Sequence, residues 1–512
     1  MNKDWSQGYF TEIGYTFGYY REISPVFIRF CLLLQGVMPP ESATPNYCEL
    51  GIGQGLSLNL HGATTPGRFF GTDFNPEHAA FAQNLARAAA LPLDIRDESF
   101  EEFLHADLPP MDYIALHGIW TWVSTENHQQ IVNFARKFLK PGGVLYLSYN
   151  CFPGWAPAAP LRQLFALHDR FASRAQGAFA RMDSAIQFSE RLLDANSAYA
   201  RAVPGVKERL TKIKEQNRNY IAHEFFNRDW NVMYFADVAE RLADAKLEFA
   251  ASATPLNAID AINLSPEAQE MMREVIHPVL KEQMRDYFTF AQFRKDIFMR
   301  GVCRLTDQEK SQHLLNTRFV LMSWPEDIPR KITGNWVEGN LQPEIYNPLL
   351  AVLAEREFAP KTLRSLCAAM ADIANAQQVL QAVTILVGMG HLAPCQDEET
   401  VKKVRMDSDH LNNVILNRAV FSRDIAYLAA PVTGGAVSVN RMQQLFLLAK
   451  ERKIVDPAAF IWQIFKDNNE RIVKEGQVIE NDEESLKEIK ASYANFATKA
   501  MPLLKAMGSC TE

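Results

Sequence analysis

The first 150 residues break into short apolar runs separated by amphipathic stretches. "NYCEL" (46–50) favours a strand and ends at a glycine-rich turn, and "GLSLNLHG" can open the helix that follows. "GRFFGTDFNP" gives a second strand, Arg68 to Thr72, ending at Asp73. In "PEHAAFAQNLARAAAL" the apolar Ala80, Leu85 and Ala89 fall at helical spacing, with Asn75 able to cap and Pro76 suited to the first turn. "LDIRDESF" holds a third strand. "MDYIALHGI" is a fourth, almost wholly apolar, as a strand buried on both faces should be. "HQQIVNFARKFLKPGG" is an amphipathic helix stopped by Pro141 and Gly142, and "GVLYLSYN" is a fifth strand. The alternation predicts an α/β fold, a parallel sheet with helices on both faces. Ligands of such sheets sit beyond the carboxyl ends of the strands. Here those ends are Glu49–Gly55, Asp73–Asn75, Asp97–Phe100, His117–Trp122 and Tyr149–Trp155.

Past Trp155 the pattern becomes helical, about residues 158–218. A further helix, "YFADVAERLADA", and strand, "LEFAASAT", follow. A second helical stretch at 260–290 leads to a last strand, "FRKDIFMRG". This reading gives a first domain of residues 1–305 whose inserted helices, 158–218 and 260–290, form a lid or a dimer surface; a separate all-α domain is the alternative. Residues 306–400 carry three helices and a short strand ("EIYNPLL…GHLAPC"), the spacing of a winged helix, and are read as a regulatory domain. Its third helix, Asn375 to Val387, has no Lys or Arg, so it lacks the donors a DNA-reading helix needs. Residues 401–512 form a mainly helical third domain, with a hairpin at "YLAAPVTGGAVSV". The most linker-like stretches are 322–343 and 395–409, "CQDEETVKKVRMDSD".

Composition narrows the class without choosing a function. The chain has 512 residues, 47% hydrophobic and 22% charged, with a net charge of −7. Those values suit a folded protein of two or three domains and give no reason to expect nucleic acid as partner. No run of about 18 apolar residues marks a membrane span, and the start "MNKDWSQGYF" lacks a signal pattern. The seven cysteines are scattered and never spaced C-x-x-C, which argues against a disulfide framework or a metal site and suits the cytoplasm.

The informative stretch is "YCELGIGQG". Glycines at Gly51, Gly53 and Gly55 let the backbone turn sharply and approach a ligand, and the acid Glu49 stands two residues before the first. An acid there repels a dinucleotide's phosphates but suits the cationic sulfonium and amino-acid tail of S-adenosylmethionine. Asp73, at the next strand end with Phe74 and Asn75, can accept hydrogen bonds from both ribose hydroxyls. The third strand end, Asp97, Ser99 and Phe100, can hold an adenine by its polar edge and its face.

"ELGIGQG" and "GTDFNP" resemble the first two motifs of class I methyltransferases. "HGIWTWVS", "LSYNCFPGW", "FRKDIFMRG" and "LAAPVTGGAVSV" resemble a narrower bacterial group carrying a methyltransferase regulatory domain. Its best-known members are rickettsial protein-lysine methyltransferases that modify an outer-membrane protein. The resemblance covers most of the chain. It implies a Rossmann-like sheet, S-adenosylmethionine as cofactor, and lysine on a protein, an outer-membrane or surface protein among the candidates, as acceptor. It maps the cofactor tail onto Glu49, Gly51, Gly53 and Gly55, and the ribose acid onto Asp73. A departure is that the family's third acid position falls on Ser99, leaving Asp97 to contact the adenine.

The transfer chemistry needs an acceptor held with a free lone pair. Candidates are His117 and Gly118 at the fourth strand end, His117 as base or as cofactor contact. Tyr149 and Asn150 after the fifth strand can bond the acceptor amine. Trp120 and Trp122 can wall an alkylammonium or pack in the core. "NYIAHEFFN" adds Tyr220, His223 and Glu224, an acceptor-site group or a buried hydrogen-bonded one. Tyr15, Tyr19 and Tyr20 form either a lid over the cofactor or an aromatic helix face. Rival functions are methylation of a small molecule or cell-surface saccharide, and a non-catalytic regulator that senses the cofactor. A homodimer is a further expectation, and no metal site is expected.

Overall fold

The computed structural model describes Tyr9, Glu12 and residues 14–172, 177–474 and 477–510. Its centre is a seven-stranded sheet in the order β3-β2-β1-β4-β5-β7-β6. The strands are β1 (Asn46–Leu50), β2 (Arg68–Thr72), β3 (Asp94–Arg96), β4 (Met111–Leu116), β5 (Leu139–Asn150), β6 (Leu247–Ser252) and β7 (Phe293–Arg300). β1 to β5 pair in parallel, and β7 runs antiparallel between β5 and β6. β1 and β4 are buried along nearly their whole length, as their unbroken apolar runs require.

Helix α1 (Pro25–Leu34) precedes the sheet. Helices α2 (Leu56–Thr64), α3 (Pro76–Ala88), α4 (Phe100–Leu104) and α5 (Thr125–Phe138) make the crossovers. The Asn75 side chain accepts from Glu77 N–H and caps α3, with Pro76 in the first turn. Between β5 and β6 the chain inserts α6 (Ala159–Phe171), α7 (Ala178–Asp194), α8 (Ala198–Ala202), α9 (Val206–Lys214) and α10 (Arg218–Phe225), then α11 (Phe235–Ala243). The apolar faces of α6 to α10 enclose a core of their own, centred on Leu161, Phe165, Ile186, Leu210 and Phe225. Between β6 and β7 come α12 (Asp260–Asn263), α13 (Pro266–Glu274) and α14 (Pro278–Thr289).

The C-terminal half is mainly helical, and three features differ from the sequence reading. The three helices and the strand Leu392–Cys395 form, but no wing follows. That strand runs on into a 21-residue helix, Glu398–Arg418, and its sheet partner is Arg318–Leu321 from earlier in the chain. The stretch 395–409, read as a linker, is largely that helix. Its charges face water, while Val404, Leu411 and Ile415 are buried and Asp397 caps its start. The other linker-like stretch, 322–343, contains a short hairpin, Lys331–Thr333 with Glu338–Asn340, and Val337 N–H donates to the Ile262 carbonyl.

Packing crosses residue 305 without a break. One apolar cluster joins α1, α2 and the face of the sheet formed by Tyr47, Tyr113 and Tyr146 to residues as far on as Met507. Polar contacts follow the same route: Ser408 Oγ donates to Ala63 O (2.7 Å), Gln396 Nε2 to Thr64 O (2.8 Å), and Ser24 Oγ to Gly434 O at the tip of the expected hairpin (2.9 Å). Among the described residues no helix is long and apolar enough to cross a membrane. A chain ended at residue 305 exposes the apolar side of α1 and α2. It is expected to self-associate in size-exclusion chromatography; a monodisperse fragment with full cofactor affinity counts against this continuity.

Candidate functional site

Two cavities meet at the carboxyl edge of the sheet. They enclose about 1060 and 1020 Å³, open mouths included, and share Tyr9, Tyr15, Thr16, Tyr20, His117, Gly118 and Trp122 as walls.

The first cavity lies over the glycine loop. Gly51, Gly53 and Gly55 all have positive φ. A Cβ on Gly51 would lie 2.3 Å from Ile119, and one on Gly55 2.4 Å from Ala82, so both are fixed by packing. A Cβ on Gly53 would instead sit 3.5 Å from Tyr15, facing the cavity itself. Gly53 N–H donates to Asp73 Oδ2 (2.8 Å) and Asn75 N–H to Asp73 Oδ1 (3.0 Å), so the second strand end braces the first. Asp73 Oδ2 keeps a further lone pair for a ligand hydroxyl. Glu49 is buried, its Oε2 has no hydrogen-bond partner among the described residues, and burial, with help from Asp73, pushes its carboxyl up to about 8. A buried acid in that condition is costly unless a cation meets it. This donor set therefore fits a ligand with a cationic amino-acid end and a ribose, which is the chemistry of S-adenosylmethionine.

Of the cofactor residues expected from sequence, Glu49, the three glycines, Asp73, Phe74, Ser99, Phe100, His117 and Gly118 line this cavity. Asn75 and Asp97 do not. Asn75 is spent on capping α3, and Asp97 points to solvent, because β3 ends at Arg96 and its neighbour Glu98 is the residue turned inward. Sequence reasoning missed Glu98, and it missed His78, whose Nδ1 lies 3.3 Å from Asp73 Oδ1. A helix position five residues after the ribose acid was the available signal. His117 stacks on Tyr20 (centroids 3.7 Å apart) and its Nδ1 meets Tyr146 Oη at 2.9 Å. Burial holds its imidazole down to about 3, so it is a neutral wall and a poor base.

The second cavity is built from distant pieces: residues 14–20, the ends of β4 and β5, helices α9 and α10, and the start of β7. Residues 14–20 form neither helix nor strand, so they carry no aromatic helix face. Tyr15 and Tyr20 line both cavities, whereas Tyr19 packs on His61 and Tyr427. Asn150, Tyr220 and His223 all line this space, with Trp122, Trp155 and Phe293. Trp120 is instead fully buried against His128. Tyr149 is the correction. Successive residues of a strand point to opposite faces, and Tyr149 is wholly buried, donating to Asp296 Oδ2 (2.8 Å) beneath the sheet. Only Asn150 faces the cavity, where its Nδ2 donates to Glu224 Oε1 (2.8 Å), leaving its amide oxygen to accept. Among the described residues no group of three or more His, Cys, Asp or Glu is placed to hold a metal ion.

Comparison with known proteins agrees with this geometry. A family model described as a methyltransferase domain matches residues 48–147, and one described as a predicted methyltransferase regulatory domain matches 217–300. The latter falls on α10 to β7, beside the second cavity, and not on residues 306–400. An uncharacterized protein of Synechocystis sp. is 39% identical over 508 residues, covering 98% of this chain and 99% of its own. The structure of PKMT2 from Rickettsia typhi in complex with AdoHcy superposes with a TM-score of 0.67 at 16% identity, covering 94% of this chain and 97% of its own.

Two outcomes follow at the first cavity. Asp73→Ala should weaken S-adenosylmethionine binding by about 1.5–3 kcal/mol in calorimetry, the range for hydrogen bonds to a charged group; unchanged affinity in a folded variant removes Asp73 from the site. Glu49 binds its proton more tightly folded (about 8) than at its ordinary value of 4.5, so the ligand-free protein loses stability as pH rises from about 4.5 to about 8 and no further above it. A cationic ligand favours the ionised acid. Affinity should therefore rise with pH up to about 8, with proton release detectable in buffers of different ionisation heat, and Glu49→Gln should flatten that dependence.

Proposed function

The chain belongs to the class I S-adenosylmethionine-dependent methyltransferases that carry a methyltransferase regulatory domain, and we propose that its acceptor is the side-chain amine of lysine on a protein. The observation that carries this reading is the second cavity. It adjoins the first cavity across shared walls, is lined by aromatic rings, and among the described residues has one buried carboxylate, Glu224, bonded to Asn150. Aromatic faces attract an alkylammonium, and a carboxylate gives that cation a counter-charge. The sequence resemblance to rickettsial protein-lysine methyltransferases supports it, and the fold shared with PKMT2 from Rickettsia typhi is consistent with that resemblance. The seven cysteines stand unpaired, which supports a reducing, cytoplasmic setting.

When bound, the cofactor supplies an electrophilic methyl group on a cationic sulfur. The chain's own residues do the rest. Glu49 and Asp73 hold the two polar ends of the ligand. Tyr15 and Tyr20 close over the junction of the cavities and exclude water, and Asn150 accepts a hydrogen bond from the neutral amine and so aims its lone pair. One observation favours a second reading. Arg209 also lines the second cavity, its guanidinium 5.1 Å over the Trp155 ring. A small acceptor bearing both an amine and an anionic group would use it.

Purified protein given methyl-labelled cofactor and unfractionated cell extract is expected to place label on protein, recovered as N-methyllysine after hydrolysis. Label confined to small molecules supports the second reading, and no label on any acceptor leaves a cofactor-sensing regulator. Asn150→Ala should lower kcat roughly 10²-fold, equivalent to about 2.7 kcal/mol of positioning, with cofactor affinity little changed. Wild-type turnover in that variant moves the acceptor position away from β5.

A further inference from the structure

Glu224 is a carboxylate that the fold pays to bury. It lies in α10 one turn after Tyr220, so both side chains share the face turned to the second cavity. It is 5% exposed, and among the described residues no ion pair reaches it. Two guanidiniums attract it through space without pairing with it: Arg162, which donates to the Asn227 carbonyl, and Arg209, which donates to Gln292 Oε1 (3.0 Å). Asn150 Nδ2 fixes one carboxylate oxygen at 2.8 Å, and Trp122 Nε1 holds the Glu224 carbonyl at 3.4 Å. An acid held this firmly, with no cation in contact, gives the core little that a neutral side chain would not give more cheaply. It is explained if its cation arrives with the substrate.

We propose that Glu224 is the general base that takes the proton from the acceptor ammonium, a step that rests on the lysine reading above. A lysine ammonium has no lone pair to give, and its ordinary pKa of about 10.4 leaves it charged at neutral pH. In the step, one N–H bond breaks, its electron pair stays on nitrogen, and the proton forms an O–H bond with the Glu224 carboxylate. The freed pair then forms the new N–C bond as the methyl–sulfur bond breaks with its pair retained on sulfur. The product is a methylated ammonium, and Glu224 returns its proton to solvent through the cavity mouth.

The surroundings suit this role. Burial pushes the carboxyl up to about 7, against the pull of the Asn150 amide, the Trp230 indole, and Arg162 and Arg209. A base works best with its pKa near the working pH. The charged and titratable groups facing it are Arg162 from α6, Arg209 from α9, Tyr220 and His223 from its own helix, and Tyr15 from residues 14–20, with Asp229 offsetting Arg162. The Tyr220 phenol is pushed up to about 12 and that of Tyr15 well above its ordinary value, chiefly by burial, so both stay protonated in the neutral range. His117, held down to about 3, does not compete.

The test is Glu224→Gln in the full chain, with cell extract protein as acceptor and N-methyllysine as the measured product. Wild-type rate should rise with pH and level off above about 7. The variant should lose roughly 10²–10⁴ of the rate at pH 7, and its remaining rate should climb about tenfold per pH unit toward pH 10, as solvent deprotonates the amine. Cofactor affinity by calorimetry should stay within twofold, which also reports an intact fold. A readout independent of turnover is the infrared difference between wild type and variant, where one carboxylic acid band should disappear as pH rises through about 7. If Glu224→Gln does not fold, Glu224→Asp decides, and should keep the shape of the wild-type profile at a lower rate. N-methyllysine formed by the variant at the wild-type rate and pH profile, or a band titrating near 4.5, overturns the role of Glu224 alone. Wild-type label on oxygen or sulfur acceptors and on no amine overturns the lysine reading, and this role with it.

Discussion

The arrangement at the carboxyl edge depends on one buried guanidinium. Arg294 of β7 is 7% exposed and is held by Asp296 (2.7 Å), Asp286 (2.5 Å) and Glu282 (3.1 Å), with the ring of Phe235 4.3 Å from its centre. Three carboxylates around one cation cannot all ionise cheaply away from water. Burial accordingly pushes Asp286 up to about 7 and raises Asp296, and Tyr149 adds a hydroxyl donor to Asp296. The cluster ties β7 to α14 and draws Tyr149 of β5 beneath the sheet. In the β5–β7 register Tyr149 lies opposite Arg294, and Asn150 lies opposite Phe293. Once Tyr149 is committed below, period-two geometry turns Asn150 and Phe293 toward the second cavity. A network outside the site thus selects which residues the site contains.

The second determinant is the irregular segment, residues 14–20, before α1. Tyr20 N–H donates to Ser57 Oγ at the start of α2 (3.1 Å), while its ring stacks on His117. Asn219 Nδ2 donates to Gly14 O (3.2 Å), bringing α10 against the same segment. On its far side Arg21 donates to the carbonyls of Val387 and Gly388 (2.8 and 2.9 Å), and Ser24 to that of Gly434. The segment therefore touches both cavities and the C-terminal half at once. Adding a Cβ to Gly435 would bring it within 2.0 Å of Tyr19 Oη, so the hairpin approaches as closely as backbone permits. This is the physical route by which the helical half can bear on access to the cofactor, though it contributes no residue to the lining of either cavity.

What the sequence made legible follows from how local each feature is. The glycine loop, Asp73 and the strand ends are set by neighbouring residues, so spacing points to Glu49, Gly53 and Phe100, which line the first cavity. Asp97 does not line it, because the end of a three-residue strand cannot be fixed to one residue from pattern, and a shift of one exchanges it for Glu98. Both Tyr149 and Asn150 looked suitable, although strand alternation allows only one of a consecutive pair to face a site. The helix Glu398–Arg418 was hidden by its charge. Its apolar contacts with α2 and its Asp397 cap become evident only when the partner surface is present. The second cavity was the least legible, since it brings residues near 15, 120, 150, 210, 220 and 293 together through contacts that no local period encodes.

The adjoining cavities hold two buried acids that solve opposite problems. Glu49 is raised further, to about 8, and has an oxygen with no hydrogen-bond partner among the described residues, so it is the more costly in the ligand-free protein. A ligand with a fixed positive end removes that cost on arrival, and the energy released is binding energy for the cofactor. Glu224 is held nearer 7 by the Asn150 amide and two guanidiniums. A stronger cation partner would lower it into the ordinary carboxylate range and leave it unable to hold a proton, while deeper burial without those partners would keep it protonated at neutral pH. Its neighbours thus tune it toward exchange, and those of Glu49 toward capture. The same physical cost, a carboxylate away from water, fits a permanent cation in one chamber and a cation that must lose its proton in the next.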